Sequence, residues 1–174
     1  MLATEWLRDV RCNWEELQNI VKSNDKQRFQ LTDESGESLI RAVQGHSIKT
    51  VQDKELLRRV RVDDQDLPAV CVHGTYHRHF SSIQTNGLRA GGVQGDRNHV
   101  HFAAYYPGDT CLITGMNHNA EVAVYVDLPR AIRANVPFYV SANKVILSPG
   151  VNGVIDAQYF LKAIDLQSQR DLLI

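Results

Sequence analysis

The sequence predicts an α+β fold in two parts, on two observations. Before residue 68 a helical segment leads into a pair of alternating strands; beyond it alternating segments dominate, with short helical ones between them. A chain of 174 residues is long enough to bury a proper core, as one domain or as two small lobes. Hydrophobic residues make up 43% and charged residues 22%, which is ordinary for a soluble globular protein and argues against disorder. The formal net charge of −1 supplies no bulk attraction for nucleic acid, so any such binding rests on local basic clusters. Cys12, Cys71 and Cys111 are widely spaced and form no C-x-x-C pair, which favours reduced thiols in an intracellular compartment. No signal-like start and no apolar run near the roughly 20 residues of a membrane span is seen, so a soluble protein of cytoplasm or nucleus without a membrane partner is expected.

Residues 1–11 place Leu2, Trp6, Leu7 and Val10 at helical spacing, a pattern too short to define an element. From Asn13 the signal improves. Asn13 and Glu16 make a capping-box start, and Trp14, Leu17, Ile20 and Val21 form one apolar stripe, so a helix is predicted to about Asn24. RFQLT (28–32) then alternates, the polar turn DESGES follows, and SLIRAV (38–43) returns. Helix followed by hairpin is the back half of a winged-helix unit. The charged segment 52–67, ending before Pro68, sets the expected boundary: residues 1–67 as a partial winged-helix-like lobe with linker, residues 68–174 as a second lobe. In that segment Arg58, Arg59 and Arg61 are balanced by Asp53, Glu55, Asp63 and Asp64, so it reads as a solvated surface.

In the second lobe AVCV (69–72) is a buried strand, and Gly74 allows a tight strand-to-helix turn with Thr75 as candidate N-cap of a helix from Tyr76 to Asn86. Residues 105–119, with two glycines and a proline, are expected to form at least in part a mobile flap. EVAVYVDL (121–128) alternates strongly, and PRAIRAN gives a short helix with Pro129 in its first turn. PFYVSA and KVILS read as strands about a turn at Ala142 and Asn143, and Pro149-Gly150 reverses the chain before GVID and YFLKAIDL.

The chemistry concentrates between His73 and Phe102, where five of the seven histidines fall: His73, His77, His79, His99 and His101. In a strand, alternate side chains share a face, so Arg97, His99 and His101 would point one way and Asn98, Val100 and Phe102 the other. Three consecutive positions able to grip an anion predict a pocket. His77 and His79 fall on the exposed part of the helix. H-x-H with His73 nearby supplies imidazoles for a metal, yet no acidic or cysteine partner has a compelling spacing, so no metal is expected. Taken alone, Arg97 reads as a surface strand residue and Arg28 as a solvated one.

The pieces NDKQRF (24–29), QGHSI (44–48), HGT (73–75), RNHVHF (97–102), TGM (114–116) and S-x-N-x-V-I-L (141–147) occur in that order. This ordered set, reaching from about Asn13 to Leu166, resembles the RNA 2′-phosphotransferases of the Tpt1/KptA family. The resemblance implies a small winged-helix-like lobe joined to an ADP-ribosyltransferase-fold lobe, NAD as co-substrate, and 2′-phosphorylated RNA, from tRNA splicing, as the other substrate. It implies two steps: the RNA 2′-phosphate displaces nicotinamide, and the ribose 2″-hydroxyl then attacks that phosphate, releasing 2′-OH RNA and ADP-ribose 1″,2″-cyclic phosphate. Matched residue by residue, it implies catalytic roles for Arg28 and Arg97 with Lys26 in support. His73, Gly74 and Thr75 would contact NAD, as would His99, and Ser141 and Asn143 would line the nucleotide pocket.

The chemistry suits these residue types. A phosphate is already a nucleophile, so the first step needs cations to position it, and the planar fork of arginine holds two oxygens at once. Two departures from the family pattern stand out. No Arg-His dipeptide occurs before residue 78, although the family's first helix carries one, and Asn117 stands where the family writes Arg after Gly-Met. The first suggests a truncated N-terminal lobe, in which the second step would suffer at least as much as the first. Related expectations are an ADP-ribosyltransferase that caps phosphorylated nucleic-acid ends, or a catalytically weak NAD- or RNA-binding module.

Overall fold

The structure, a computed structural model, describes residues 12–34, 36–45, 56–91, 97–109, 116, 117 and 119–173. It is an α+β chain with few helices and several small antiparallel sheets, divided into two compact units at residues 42 and 43.

In the first unit, helix α1 (Trp14–Ser23) starts as its sequence dictates. Asn13 Oδ1 accepts from the Glu16 amide at 2.9 Å and Glu16 Oε2 accepts from the Asn13 amide at 3.0 Å, so two otherwise orphaned donors are satisfied reciprocally. Asn24 ends the helix, and its Oδ1 accepts from the Arg28 amide at 2.9 Å. That bond turns the chain, with Gln27 at φ 45°, into β1 (Phe29–Glu34). β1 pairs with β2 (Glu37–Ala42) from Phe29 opposite Ala42 to Glu34 opposite Glu37, and the tight loop holds Gly36 at φ 83°.

The second unit carries two larger sheets. One has the order β11 (Phe160–Asp165), β7 (Val122–Val126), β4 (Val72–Thr75); the other has the order β3 (Arg58–Arg59), β8 (Tyr139–Val140), β9 (Ile146–Ser148), β6 (Val100–Phe102). The alternation in β7 explains how they hold together. Val122, Val124 and Val126 face one core with Phe102, Phe138 and Ile146, while Ala123 faces a smaller cluster with Val70, Val72 and Ala103. A bridge between Val72 and Ala103 joins the sheets, the two amides and carbonyls exchanging bonds of 3.1 and 2.8 Å. Helix α2 (His77–Asn86) follows β4, and β5 (Leu88–Arg89) pairs with β10 (Val154–Ile155). Helix α3 (Leu128–Arg133) is opened by Asp127, which accepts from the Arg130 amide at 3.0 Å, with Pro129 in its first turn as predicted.

The chain's contacts divide it after Ala42, and the segment before Pro68 packs within the second unit at residues 58–60. Arg58 and Arg59 pair with Val140 and Tyr139, and Val60, only 2% exposed, donates its amide to Phe138 O at 2.9 Å. One buried valine among charged neighbours anchors the segment, and its charge content concealed this. The charged surface reading holds at Arg58, whose guanidinium bonds Asp64 and Asp66 at 2.7 Å each. Of the expected flap, residues 110–115 and 118 lie outside the described residues, as do His46 and the early helical pattern. Among the described residues no helix is long and apolar enough to cross a membrane.

Candidate functional site

Because Val72 and Ala103 are bridged, β4 and β6 run side by side and bring His73 and His101 together. His73 Nδ1 lies 2.9 Å from the His101 carbonyl oxygen. A carbonyl only accepts, so Nδ1 carries the proton and Nε2 is left as an acceptor. The same logic applies one residue pair along, where His101 Nδ1 lies 3.2 Å from the His99 carbonyl. Burial lowers the pKa of His73 against the opposing help of that carbonyl. His101 is pushed down to about 4, by burial first and by the Arg97 charge second, with smaller contributions from His99 and His73. Near neutral pH the site thus holds two uncharged imidazoles, each showing its environment an acceptor nitrogen.

This corrects the expected cationic face. β6 spans only Val100–Phe102, so Arg97 and Asn98 precede the strand and His99, 8% exposed, lies in a bend with its ring edge-on to Tyr139 at 6.4 Å. Val100 and Phe102 do face the core as the alternation predicted. Arg97 is exposed and its charge reaches His101. The intended anion grip is therefore one permanent cation beside neutral acceptors.

The turn after β4 also differs from expectation. Thr75 is not the N-cap: it stays in β4, buried opposite Val122, and its carbonyl accepts from the Glu121 amide at 2.8 Å. Tyr76 occupies the cap position without a side-chain bond, and Glu121 Oε2 instead accepts from the His77 amide at 2.8 Å. A carboxylate from a distant segment thus satisfies the free donor, which no local pattern could reveal. His77 Nε2 lies 2.8 Å from Asp165 Oδ2, and the Arg78 guanidinium stacks 4.7 Å from the Tyr76 ring centroid. Asn117 donates to Tyr76 Oη at 2.8 Å, so the residue that departs from the family pattern braces this turn. Gly74 is required by packing rather than by a sharp bend: a Cβ there would overlap Met116 Cγ and come within 2.9 Å of Ala120 Cβ. Sequence reasoning noticed Gly74 and the TGM segment without seeing that one receives the other. Gly45 of QGHSI is a second missed neighbour, since a Cβ on it would stand 3.8 Å from His101 Nε2.

Ser141 and Asn143 meet each other on the β8–β9 turn. Ser141 Oγ donates to Asn143 Oδ1 at 2.7 Å and accepts from the Val145 amide at 3.1 Å, so the hydroxyl braces the turn. Ser141 also lines a cleft of about 710 Å³ with Tyr105, Tyr106 and Lys144, at the other end of β4 and β6 from Arg97 and Thr75. Arg28 and Lys26 belong to the first unit, on the turn between α1 and β1, where Arg28 is exposed. Among the described residues no group of three His, Cys, Asp or Glu is arranged to hold a metal.

The family described as RNA 2′-phosphotransferase, Tpt1/KptA family, matches residues 1–150. The chain is 43% identical over 159 residues to tRNA 2′-phosphotransferase 1 of Bos taurus, covering 90% of this chain and 60% of that protein. The values are the same for tRNA 2′-phosphotransferase 1 of Homo sapiens, at 43% over 159 residues, 90% and 60%. For the Danio rerio protein of that name they are 40% over 152 residues, 86% and 65%. The chain thus spans about 60% of the length of the curated relatives it matches. With a match that takes in both units and all the motifs from NDKQRF to S-x-N-x-V-I-L, the chain belongs to the RNA 2′-phosphotransferase, Tpt1/KptA family.

Proposed function

We propose that this chain transfers an internal RNA 2′-phosphate, as in spliced tRNA, to the ADP-ribose part of NAD. The observation that carries the reading is the family match over residues 1–150, inside which His73 and His101 meet on two bridged strands and the charge of Arg97, just before the second, reaches His101. On this reading the first unit is the winged-helix-like lobe and the second the ADP-ribosyltransferase-fold lobe, and the small antiparallel sheets are compatible with it. The donor set suits NAD: ribose hydroxyls are donors and require acceptors, which the two Nε2 atoms supply, and the anionic remainder suits a guanidinium. Gly74 and Thr75, at the end of β4, and His99 are assigned to the same pocket, with Ser141 and Asn143 bracing the β8–β9 turn at the other end of β4 and β6.

Bound NAD would supply an electrophilic ribose carbon and nicotinamide as leaving group. Arg97 grips two oxygens of the RNA 2′-phosphate, and Arg28 and Lys26 of the first unit are further cations proposed for phosphate handling. No general base is needed there because the nucleophile is already ionised. In the second step a ribose hydroxyl loses its proton, and a neutral histidine with an open Nε2 is the group built to accept it. As the ribose oxygen bonds to phosphorus and the P–O bond to the RNA breaks, the histidinium returns that proton to the departing RNA 2′-oxygen.

The test is to mix the chain with NAD and an oligoribonucleotide bearing one internal 2′-phosphate. Expected are nicotinamide release, RNA carrying a 2′-hydroxyl, and ADP-ribose cyclic phosphate. Nicotinamide release with ADP-ribose retained on the RNA would reduce the reading to the first step. No release at all would refute it.

A further inference from the structure

Apart from Ser141 in its lining, the cleft at the far end of β4 and β6 is not used by the chemistry above. It is walled by Leu56, Pro68, Val70 and Val140, and its rim carries Tyr105, Tyr106 and Lys144. Tyr105 and Tyr106 are 36% and 56% exposed, although their rings have apolar surface to bury. Tyr106 also belongs to a neighbouring hollow of about 400 Å³, where its ring lies 6.2 Å from that of Tyr125 and Lys162 Nζ sits 4.7 Å from the Tyr125 centroid. Tyr125 and Lys162 are cross-strand partners on β7 and β11, so this end of the surface is fixed by the sheet. Lys144, held at φ 64° on the β8–β9 turn, is exposed and has no acidic partner among the described residues. Arg58, also in the cleft, is committed to Asp64 and Asp66.

We infer that Tyr105, Tyr106, Lys144 and Lys162 form a docking surface for a single-stranded segment of RNA flanking the reacting nucleotide. Exposed rings with ammonium groups on the same surface are what unpaired bases and their phosphates require: every base offers a face to stack, and each phosphate a charge to neutralise. A protein partner would be expected to meet a closed apolar core ringed by polar groups; here Lys144 and the carboxylates of Asp66 and Asp109 line the cleft together with the exposed rings. The surface is distinct from the imidazole pair. From His101 to Ala104 is three residues of strand, roughly 10 Å, so the occupant is a flanking nucleotide and not the one undergoing reaction. The inference rests on the proposed transfer reaction for its choice of substrate, and the experiment separates the two.

Two substrates are compared with NAD at saturation: a 2′-phosphorylated dinucleotide, which lacks a flanking strand, and a longer oligoribonucleotide with one internal 2′-phosphate. Tyr106→Ala is expected to lower kcat/KM for the long substrate about tenfold, the effect of losing one stacked base, and to leave the dinucleotide unchanged. Tyr106→Trp, which keeps the stacking face, is expected to restore the long-substrate rate. For Lys144→Ala, the salt dependence of long-RNA affinity should become shallower by about 0.7 in the log–log slope, as for one lost phosphate contact on a single strand. Equal losses on both substrates, or none on either, would overturn the docking surface. If the unaltered chain releases nicotinamide from neither substrate, the transfer reading fails alone; fluorescence anisotropy of the long RNA against the same variants then decides the surface, which stands if Tyr106→Ala weakens binding and falls if it does not.

Discussion

Replacing His101 by Asn should make the second unit less sensitive to acid. His101 keeps a neutral ring because burial and the Arg97 charge lower its pKa from 6.5 to about 4, while Nδ1 is committed to the His99 carbonyl. The unfolded chain, with an ordinary imidazole, binds a proton on falling below about 6.5 that the folded chain refuses until about 4. Its folded-state pKa is depressed, so the stability it permits is complete above the unfolded value and is lost as pH falls towards the folded one. By linkage, acidifying from about pH 7 to about pH 5 should remove about 2 kcal/mol through this group alone, and slightly more by about pH 4.5. Asparagine cannot titrate, yet its amide can reach the His99 carbonyl in place of Nδ1, so the variant should lose about 2 kcal/mol less over the same range. Both tryptophans, Trp6 and Trp14, precede residue 43, so their fluorescence reports the first unit. The assay is therefore urea unfolding followed by hydrogen exchange of β6, β7 and β9 amides at the two pH values. Parallel acid losses in the wild type and the variant, or an imidazole titration of His101 with its midpoint near 6.5, would refute the reasoning. His73, shifted in the same direction by burial, should add to the wild-type loss and remain in the variant.

At Arg97, lysine should be almost as damaging as alanine, each lowering nicotinamide release by roughly 100-fold while the circular dichroism is unchanged, because an ammonium cannot hold two phosphate oxygens in one plane. A lysine variant with most of the wild-type rate would remove the bidentate role. His73→Ala should weaken NAD binding about tenfold by calorimetry through the lost acceptor, with RNA affinity little changed; unchanged NAD affinity would take His73 out of the pocket. Gly74→Ala should destabilise the second unit by about 1–3 kcal/mol through overlap with Met116. Combining it with Met116→Ala should recover much of that loss in a double-mutant cycle, and simple additivity would show that the two do not meet.

What the sequence determined on its own is what nearest neighbours decide. The reciprocal bonds of Asn13 and Glu16 lie within one helical turn, and the β1–β2 register is fixed by a tight loop at Gly36. The alternation of EVAVYVDL names a strand, and the ordered motifs carry the family across the chain. Tertiary structure decided the charge states and the partners. Arg97, His99 and His101 read as a cationic row because spacing fixes direction but not dielectric; burial keeps His73 and His101 neutral against the pull of two backbone carbonyls, which fix Nδ1 as the protonated nitrogen. Thr75 looked like a cap because the helix follows it, yet the donor it would have satisfied is taken by Glu121 from 44 residues beyond His77. Val60, surrounded in sequence by charge, is buried and bonds Phe138 in the second unit. Such assignments depend on contacts between segments far apart in the chain, and a local pattern carries no information about which distant group will arrive, or how little water will remain when it does.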